Sequence, residues 1–254
     1  MAMVSDGAEV PQAKRASDRI AQELRREIIA GAKIERTPIL LERFGVSRPT
    51  LRQAFRVLES EQLIEVRHGS RNGVRVRRPG TDSVARLTGQ TLQANGTTIE
   101  QLYEARETFE PVAARIVAKR SDRRDVASLR NAHAELTGLL DIEASVDLGM
   151  ALARFHHLLV SLAGNEVLTL MSATIANLLE RHQRNGKQLE KAGGPLRSTL
   201  EFRGRGVRSI GRLNRLVEEG DGERAEAHWR VHLMNASHFW LAGQDRYAVI
   251  DILD

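Results

Sequence analysis

The 254-residue chain contains no cysteine. Disulfides and thiolate chemistry are therefore excluded, and the absence fits a reducing compartment. Aromatic residues make up only 4% of the chain. Aliphatic side chains must then fill the interior, which favours helix packing over a sheet sandwich. No apolar run approaches the roughly eighteen residues that a membrane-spanning helix needs. The N-terminus lacks a charged start followed by an apolar core, so no secretory leader is expected. The cytoplasm is the expected location. Proline occurs six times and is nearly missing from the C-terminal two thirds, which leaves long stretches free to be helical.

Charge is present but unevenly placed. The formal net charge is +5. Residues 1–80 hold 16 Arg and Lys against 10 Asp and Glu, and the remainder holds 22 against 23. The basic excess lies in the first third, which suggests a polyanion partner for that part and something else for the rest.

Residues 1–12 show no period. From 16 to 30, "ASDRIAQELRREIIA" places Ile20, Leu24 and Ile28 on one helical face. Gly31 ends that helix. Thr37 before Pro38 reads as an N-cap and first-turn proline of a short helix running to about Arg43. "FGVS" makes a turn, with Ser47 placed to cap a third helix, "RPTLRQAFRVLESE". There Leu51, Ala54, Phe55 and Leu58 form a buried face, while Arg48, Arg52 and Arg56 share another, with Thr50 near the start. An exposed, arginine-bearing N-terminal half suits the major groove of DNA, where arginine pairs with guanine edges. "LIEV" and "GVRVRR" then alternate as strands around "RHGSRNG". The hairpin tip carries Arg67, His68 and Arg71, as a wing along the backbone or in a minor groove would.

Helix, short helix, "FGVSRPTLRQAFRVLE" and "LIEVRHGSRNGVRV" together resemble the winged helix-turn-helix of GntR-type bacterial regulators, over about residues 13–79. The resemblance implies that Arg48, Thr50 and Arg52 touch operator DNA, with His68 and Gly69 at the wing tip. Two features depart from the family: Arg36-Thr37 replaces the usual Ser-Glu-like pair that opens the second helix, and the wing reads "GSRNG" instead of being glycine-rich.

Residues 80–94 read as a linker with a short helix at 84–93. Helices are then expected from Thr97 or Thr98 to about Arg120, and over 122–140, 143–163, 165–185, 197–219 and 221–242. "GKQLEKAGGP" reads as a loop. Within the first of these helices Ile99, Leu102, Arg106, Phe109, Ala113 and Ile116 follow an apolar stripe. Arg106 stands in its middle, and an arginine is rarely buried without a partner. Two readings are open. Arg106 forms an internal salt bridge, for example to Glu110 or a carboxylate on another helix, or it points inward to hold an anionic ligand.

"TIEQLYEARETFEPVAARIVAKR", "ARFHHLLVSLAGN" and "LVEEGDGERAEAHWRVHL" resemble the all-helical FCD effector-binding domain of one GntR branch, over about residues 95–245. The resemblance implies a bundle of six or seven helices. In many members one Asp and three His hold a divalent metal, with a small carboxylate effector beside an arginine that matches Arg106. Carried across, the four ligand positions fall on Leu152, His156, Ile210 and His232. Two are histidine and two are aliphatic, and two imidazoles alone make a weak site. His228 and His232, i and i+4, could chelate with His156 as a third ligand.

The paired His156 and His157 in "RFHHLLVSLAGN" are thus read differently. His156 is expected in the effector pocket as a hydrogen-bonding wall, and His157 at a surface or interhelix position. No Ser-His-Asp order or glycine elbow accompanies them, so a catalytic role is not expected.

The expected fold is mostly α: a winged helix-turn-helix at 13–79, a linker at 80–94 and a helical-bundle effector domain at 95–245. The expected function is a ligand-responsive transcription regulator, a repressor in sign, that binds an inverted-repeat operator as a homodimer. Its effector would be an anionic or acyl-type metabolite bound by Arg106, His156 and His232. No enzyme activity, metal, cofactor or membrane partner is expected. A metal-dependent hydrolase or metal sensor using His156, His228 and His232 is the rival, and it lacks a water-activating partner in the sequence. An architectural DNA-binding protein without effector is the third class.

Overall fold

The computed structural model describes residues 12–66, 74–77, 80–141, 145–190, 196–242 and 247–252. They divide into two compact units at Gly80 and Thr81.

The first unit opens with α1 (Gln12–Ile29), α2 (Thr37–Phe44) and α3 (Arg48–Ser60). The four-residue spacing of Ile20, Leu24 and Ile28 turns one face of α1 onto α3. Leu51, Ala54, Phe55 and Leu58 answer from α3, and Leu40 from α2. Gly45 ends α2 at φ 60°, a left-handed turn that glycine adopts without a side-chain clash. The expected caps differ in detail. Arg36, with extended backbone, precedes α2, so Thr37 is already helical and Pro38 falls in the first turn. Ser47 does precede α3, but its hydroxyl pairs with Thr50 Oγ1 at 2.9 Å and caps no backbone N–H. Strands β1 (Ile64–Val66) and β2 (Val74–Val76) pair antiparallel, Ile64 facing Val76 and Val66 facing Val74. That alternation sends apolar pairs inward and the Glu65–Arg75 pair to the other face. The connecting residues 67–73, with His68 and Gly69, lie outside the described residues.

The second unit begins with a correction. The segment 80–94, read as a linker with a short helix at 84–93, is helical from its second residue as α4 (Thr81–Ala94) and packs against α8 (Glu166–Glu190). Its contact is close because position 89 is glycine. A Cβ there would stand 2.5 Å from Leu178 Cδ2 and 2.6 Å from Ile252 Cδ1. The remaining helices are α5 (Ile99–Arg120), α6 (Arg123–Asp141), α7 (Ser145–Leu162), α9 (Leu196–Glu218) and α10 (Gly222–Ala242). Thr98 and Gln101 form a reciprocal capping box at the start of α5. Of the expected loop at 186–195, residues 186–190 are the end of α8, and 191–195 lie outside the described residues.

Helix α5 runs through two apolar clusters. Its first half, with Leu102, Tyr103 and Phe109, packs with Leu178 and Leu179 of α8 and with Ile250 and Ile252. Its second half, with Ala114 and Val117, packs with Leu136, Phe155, Leu213 and Trp229 from α6, α7, α9 and α10. The stripe therefore continues through Val117, fully buried, and Ile116 is 38% exposed. The chain beyond 245 also belongs to this unit. Val249 bridges Thr98, Ile250 donates its N–H to the Thr97 carbonyl at 2.9 Å, and Ile250 and Ile252 are buried.

Candidate functional site

Two places concentrate chemistry, one in each unit. In the first unit, Arg48, Arg52 and Arg56 project from the exposed face of α3, opposite its apolar face, and Thr50 is half-buried beside Ser47. Other arginines of this unit are tied down: Arg25 to Glu61 at 2.7 Å, Arg77 to Glu65 at 3.0 Å, and Arg43 to Glu23, Glu27 and Glu35. These pairs engage their arginines within the unit, while the α3 arginines are presented outward.

In the second unit, charge is buried. Arg106 and Glu110 lie one turn apart on α5, between its two apolar clusters. Arg106 Nε donates to Glu110 Oε1 at 2.7 Å, with side-chain exposures of 11% and 1%. The second carboxylate oxygen accepts from His156 Nδ1 on α7 at 2.7 Å and from Trp229 Nε1 on α10 at 3.0 Å. One carboxylate thus joins three helices. Burial alone would raise its pKa, but the charge of Arg106 and the His156 N–H overcome that and hold it well below the ordinary carboxylate range. Arg106 Nη2 is buried and has no hydrogen-bond partner. Leaving such a donor unsatisfied is costly, so the guanidinium keeps one face committed to Glu110 and one face open to an acceptor.

A second polar chain meets the first. The His232 ring stacks on Trp229 with centroids 4.2 Å apart and lies 5.4 Å from the His156 ring. Its Nδ1 is 3.0 Å from Ser209 Oγ on α9. His228 Nε2 donates to the Ser209 carbonyl at 2.8 Å, since a carbonyl only accepts. The Ser209 hydroxyl lies within reach of both rings, 3.2 Å from His228 Nε2 and 3.0 Å from His232 Nδ1. Burial lowers the pKa of both His156 and His232, the latter well below its ordinary value. With Nδ1–H committed to Glu110, neutral His156 keeps Nε2 as an acceptor.

These residues do not fit a divalent metal. Of the four positions that the FCD resemblance assigns, Ile210 is a fully buried aliphatic and Leu152 packs against the same core. His228 Nε2 is taken by the Ser209 carbonyl, and His156 and His232, held at Nδ1 by Glu110 and Ser209, have only their two Nε2 atoms to offer, which is too few for a closed site. Among the described residues no group of three His, Cys, Asp or Glu is placed to hold a metal ion. His228 and His232 share hydrogen bonds with Ser209, while His156 bonds to Glu110 and meets His232 only by ring contact.

Arg106, His156 and His232, singled out in the sequence, come together. Of the two readings of Arg106, the salt bridge to Glu110 is present, and Nη2 is left without a hydrogen-bond partner. His157 is half-buried with Nδ1 unpartnered, in keeping with an interhelix position. Trp229 and Ser209 were not foreseen. Trp229 lies between His228 and His232 in "AHWRVHL", a placement that put it within one turn of both.

The comparisons with known proteins agree with this architecture. Residues 16–76 match the gntR family of bacterial regulatory proteins, and residues 101–235 match the FCD domain. The HTH-type transcriptional regulator LutR of Bacillus subtilis is 26% identical over 213 residues, spanning 82% of this chain and 91% of LutR. The HTH-type transcriptional repressor NanR of Enterobacter sp. is 28% identical over 182 residues, 65% of each chain. Among solved structures, Streptococcus agalactiae GntR aligns with a TM-score of 0.64 at 18% identity, covering 88% of this chain and 99% of that one, a likeness of fold. With an arginine-bearing winged helix-turn-helix ahead of a helical unit built around a buried charge cluster, the chain belongs to the GntR family of bacterial regulatory proteins, in the branch that carries an FCD domain.

Proposed function

We propose that this regulator is a homodimeric repressor that binds an inverted-repeat operator and releases it, or tightens on it, when a metabolite enters the helical unit. A two-fold dimer presents two recognition helices, so its operator is two half-sites related by the same symmetry. Arg48, Thr50 and Arg52 make the DNA contacts from α3, with His68 and Gly69 as further contacts that the family resemblance implies. Repression as the sign of control is supported by NanR, whose name is that of a repressor. The cytoplasm is the matching location, and no helix among the described residues is long and apolar enough to cross a membrane.

The single observation that carries the ligand-responsive part is Arg106 Nη2: a buried donor without a partner, beside His156 and His232. An anionic or acyl-type effector would supply the missing acceptor. Binding there biases α5, α7 and α10, because Glu110 ties all three, and an effector shifts the equilibrium only by its differential affinity for the two arrangements. An enzyme reading is not favoured, since the carboxylate beside His156 is neutralised by its pair with Arg106 and the families matched are those of bacterial regulators. Selection of bound duplexes from a random pool, followed by sedimentation of the complex, tests the reading. The expected result is one inverted repeat per two chains; a non-repeated site, or a monomer on DNA, would overturn it.

A further inference from the structure

The proposed effector site has a feature that its arginine alone does not suggest. Arg106 is already charge-balanced. Glu110 sits 2.7 Å from Nε and is 1% exposed, so the pair forms a closed, low-dielectric unit of no net charge. Glu110 Oε1 accepts from Arg106, and Oε2 accepts from both His156 and Trp229. Three donors hold this carboxylate, so it cannot turn away from the site. A second carboxylate docked on Nη2 of the same guanidinium would lie within a few ångströms of the first, and two carboxylates sharing one buried site repel. A metal would have offset that repulsion, and the donor set does not fit one.

We propose that Glu110 sets the charge preference of the effector site, so that the group received by Arg106 Nη2 is an uncharged acceptor, an acyl or amide carbonyl, and dicarboxylates are rejected. This rests on Arg106 being the effector contact. A carbonyl oxygen accepts from Nη2 and satisfies the buried donor without adding charge. His156 is part of the same preference. Its Nδ1–H is committed to Glu110, which leaves Nε2 as an acceptor for a hydroxyl or amide N–H of the ligand and not as a donor to an anion. Glu110 is therefore a positioning and specificity-determining residue: it touches no ligand, but it fixes the charge and the hydrogen-bond pattern that the ligand meets.

A series of equal size and different charge tests this: succinate, its monoamide and its diamide, titrated calorimetrically into the full-length protein, into Glu110→Gln and into Arg106→Met. The wild type should bind the diamide at least about tenfold more tightly than succinate, with the monoamide between. Glu110→Gln leaves Arg106 uncompensated and should invert the order, with succinate the tightest by about tenfold. Arg106→Met should abolish binding of all three. If Glu110→Gln does not fold, the wild-type order decides alone. Succinate ranking first on the wild type, or no member of the series binding it, overturns the proposal. If binding depends on Arg106 but the dianion wins, only the charge preference fails. If the order persists in Arg106→Met, the effector contact lies elsewhere and the reading of Arg106 fails with it.

Discussion

The two units use the same residue types in opposite ways. In the first, arginine and glutamate meet at the surface: Arg43 reaches Glu23, Glu27 and Glu35 with its own side chain 33% exposed. In the second, Arg106 and Glu110 meet inside, at 11% and 1%. At the surface, water and salt screen the pair, and its formation costs side-chain entropy, so little net stability results. Inside, each charge has been stripped of water, so the pair contributes little by existing and much is lost when one partner goes. The α3 arginines show a third use, exposed and held in place by the apolar face beneath them, available to an outside polyanion.

The difference can be tested at its strongest point first. Glu110→Ala strands the Arg106 charge and two N–H donors, those of His156 and Trp229. Urea unfolding should show a loss of roughly 3–5 kcal/mol. A loss below about 1 kcal/mol would place Glu110 with the surface pairs and erase the contrast. Arg52→Ala should do the reverse, leaving unfolding unchanged while weakening a specific operator by roughly 1–3 kcal/mol if it pairs with a base edge. Fluorescence anisotropy on operator and random duplex reads this, and an equal loss on both would make Arg52 a phosphate contact.

Acid should act on the second unit through its buried histidines. Burial lowers His156 and His232 below their ordinary pKa of 6.5, so between the two values the unfolded chain holds more protons than the folded one. Their contribution is present above about 6.5 and is lost as the pH falls toward their folded values, by about 1.4 kcal/mol per pH unit for each proton taken up. Glu110, depressed below its ordinary 4.5, adds a further loss below that pH. The melting temperature should be level above about pH 7.5 and fall toward pH 5, and His232→Asn should flatten part of that fall. A protein that gains stability on acidification over this range would contradict the burial of neutral imidazoles. Smallest of all, Arg43→Met should cost about 1 kcal/mol or less, and less still in high salt. A salt-independent loss of several kcal/mol would mean that its triad behaves as a buried one.

Much of this was legible in the chain itself. The spacing of Ile20, Leu24 and Ile28, and of Leu51, Ala54, Phe55 and Leu58, places both faces of the first unit, because a helix repeats every 3.6 residues whatever surrounds it. The helices α5, α6, α7, α9 and α10 begin and end within about two residues of the periodic segments. Helix α4 was harder. Its pattern is weak, and it becomes a packed element only because Gly89 admits Leu178 and Ile252, one of them 163 residues away in the chain. The tail at 247–252 escaped for the same reason, since Ile250 and Ile252 are too few to show a period.

The site divides along the same line. The odd placement of Arg106 in an apolar stripe, the His156-His157 pair, and the aliphatic residues at positions 152 and 210 are properties of the sequence, because they follow from residue type and helical spacing. That Glu110 is the partner of Arg106 was suggested by their i,i+4 separation. That the same carboxylate also receives His156, 46 residues on, and Trp229, 119 residues on, was decided only by the folding of α7 and α10 against α5. Hydrogen-bond partners across helices depend on rotation and register to within an ångström, and a one-dimensional pattern carries neither. The family, the two units and the basic recognition helix were therefore already determined by the chain as written. The tertiary structure decided which charges face inward and which buried donor is left without a partner, because both depend on how the helices pack.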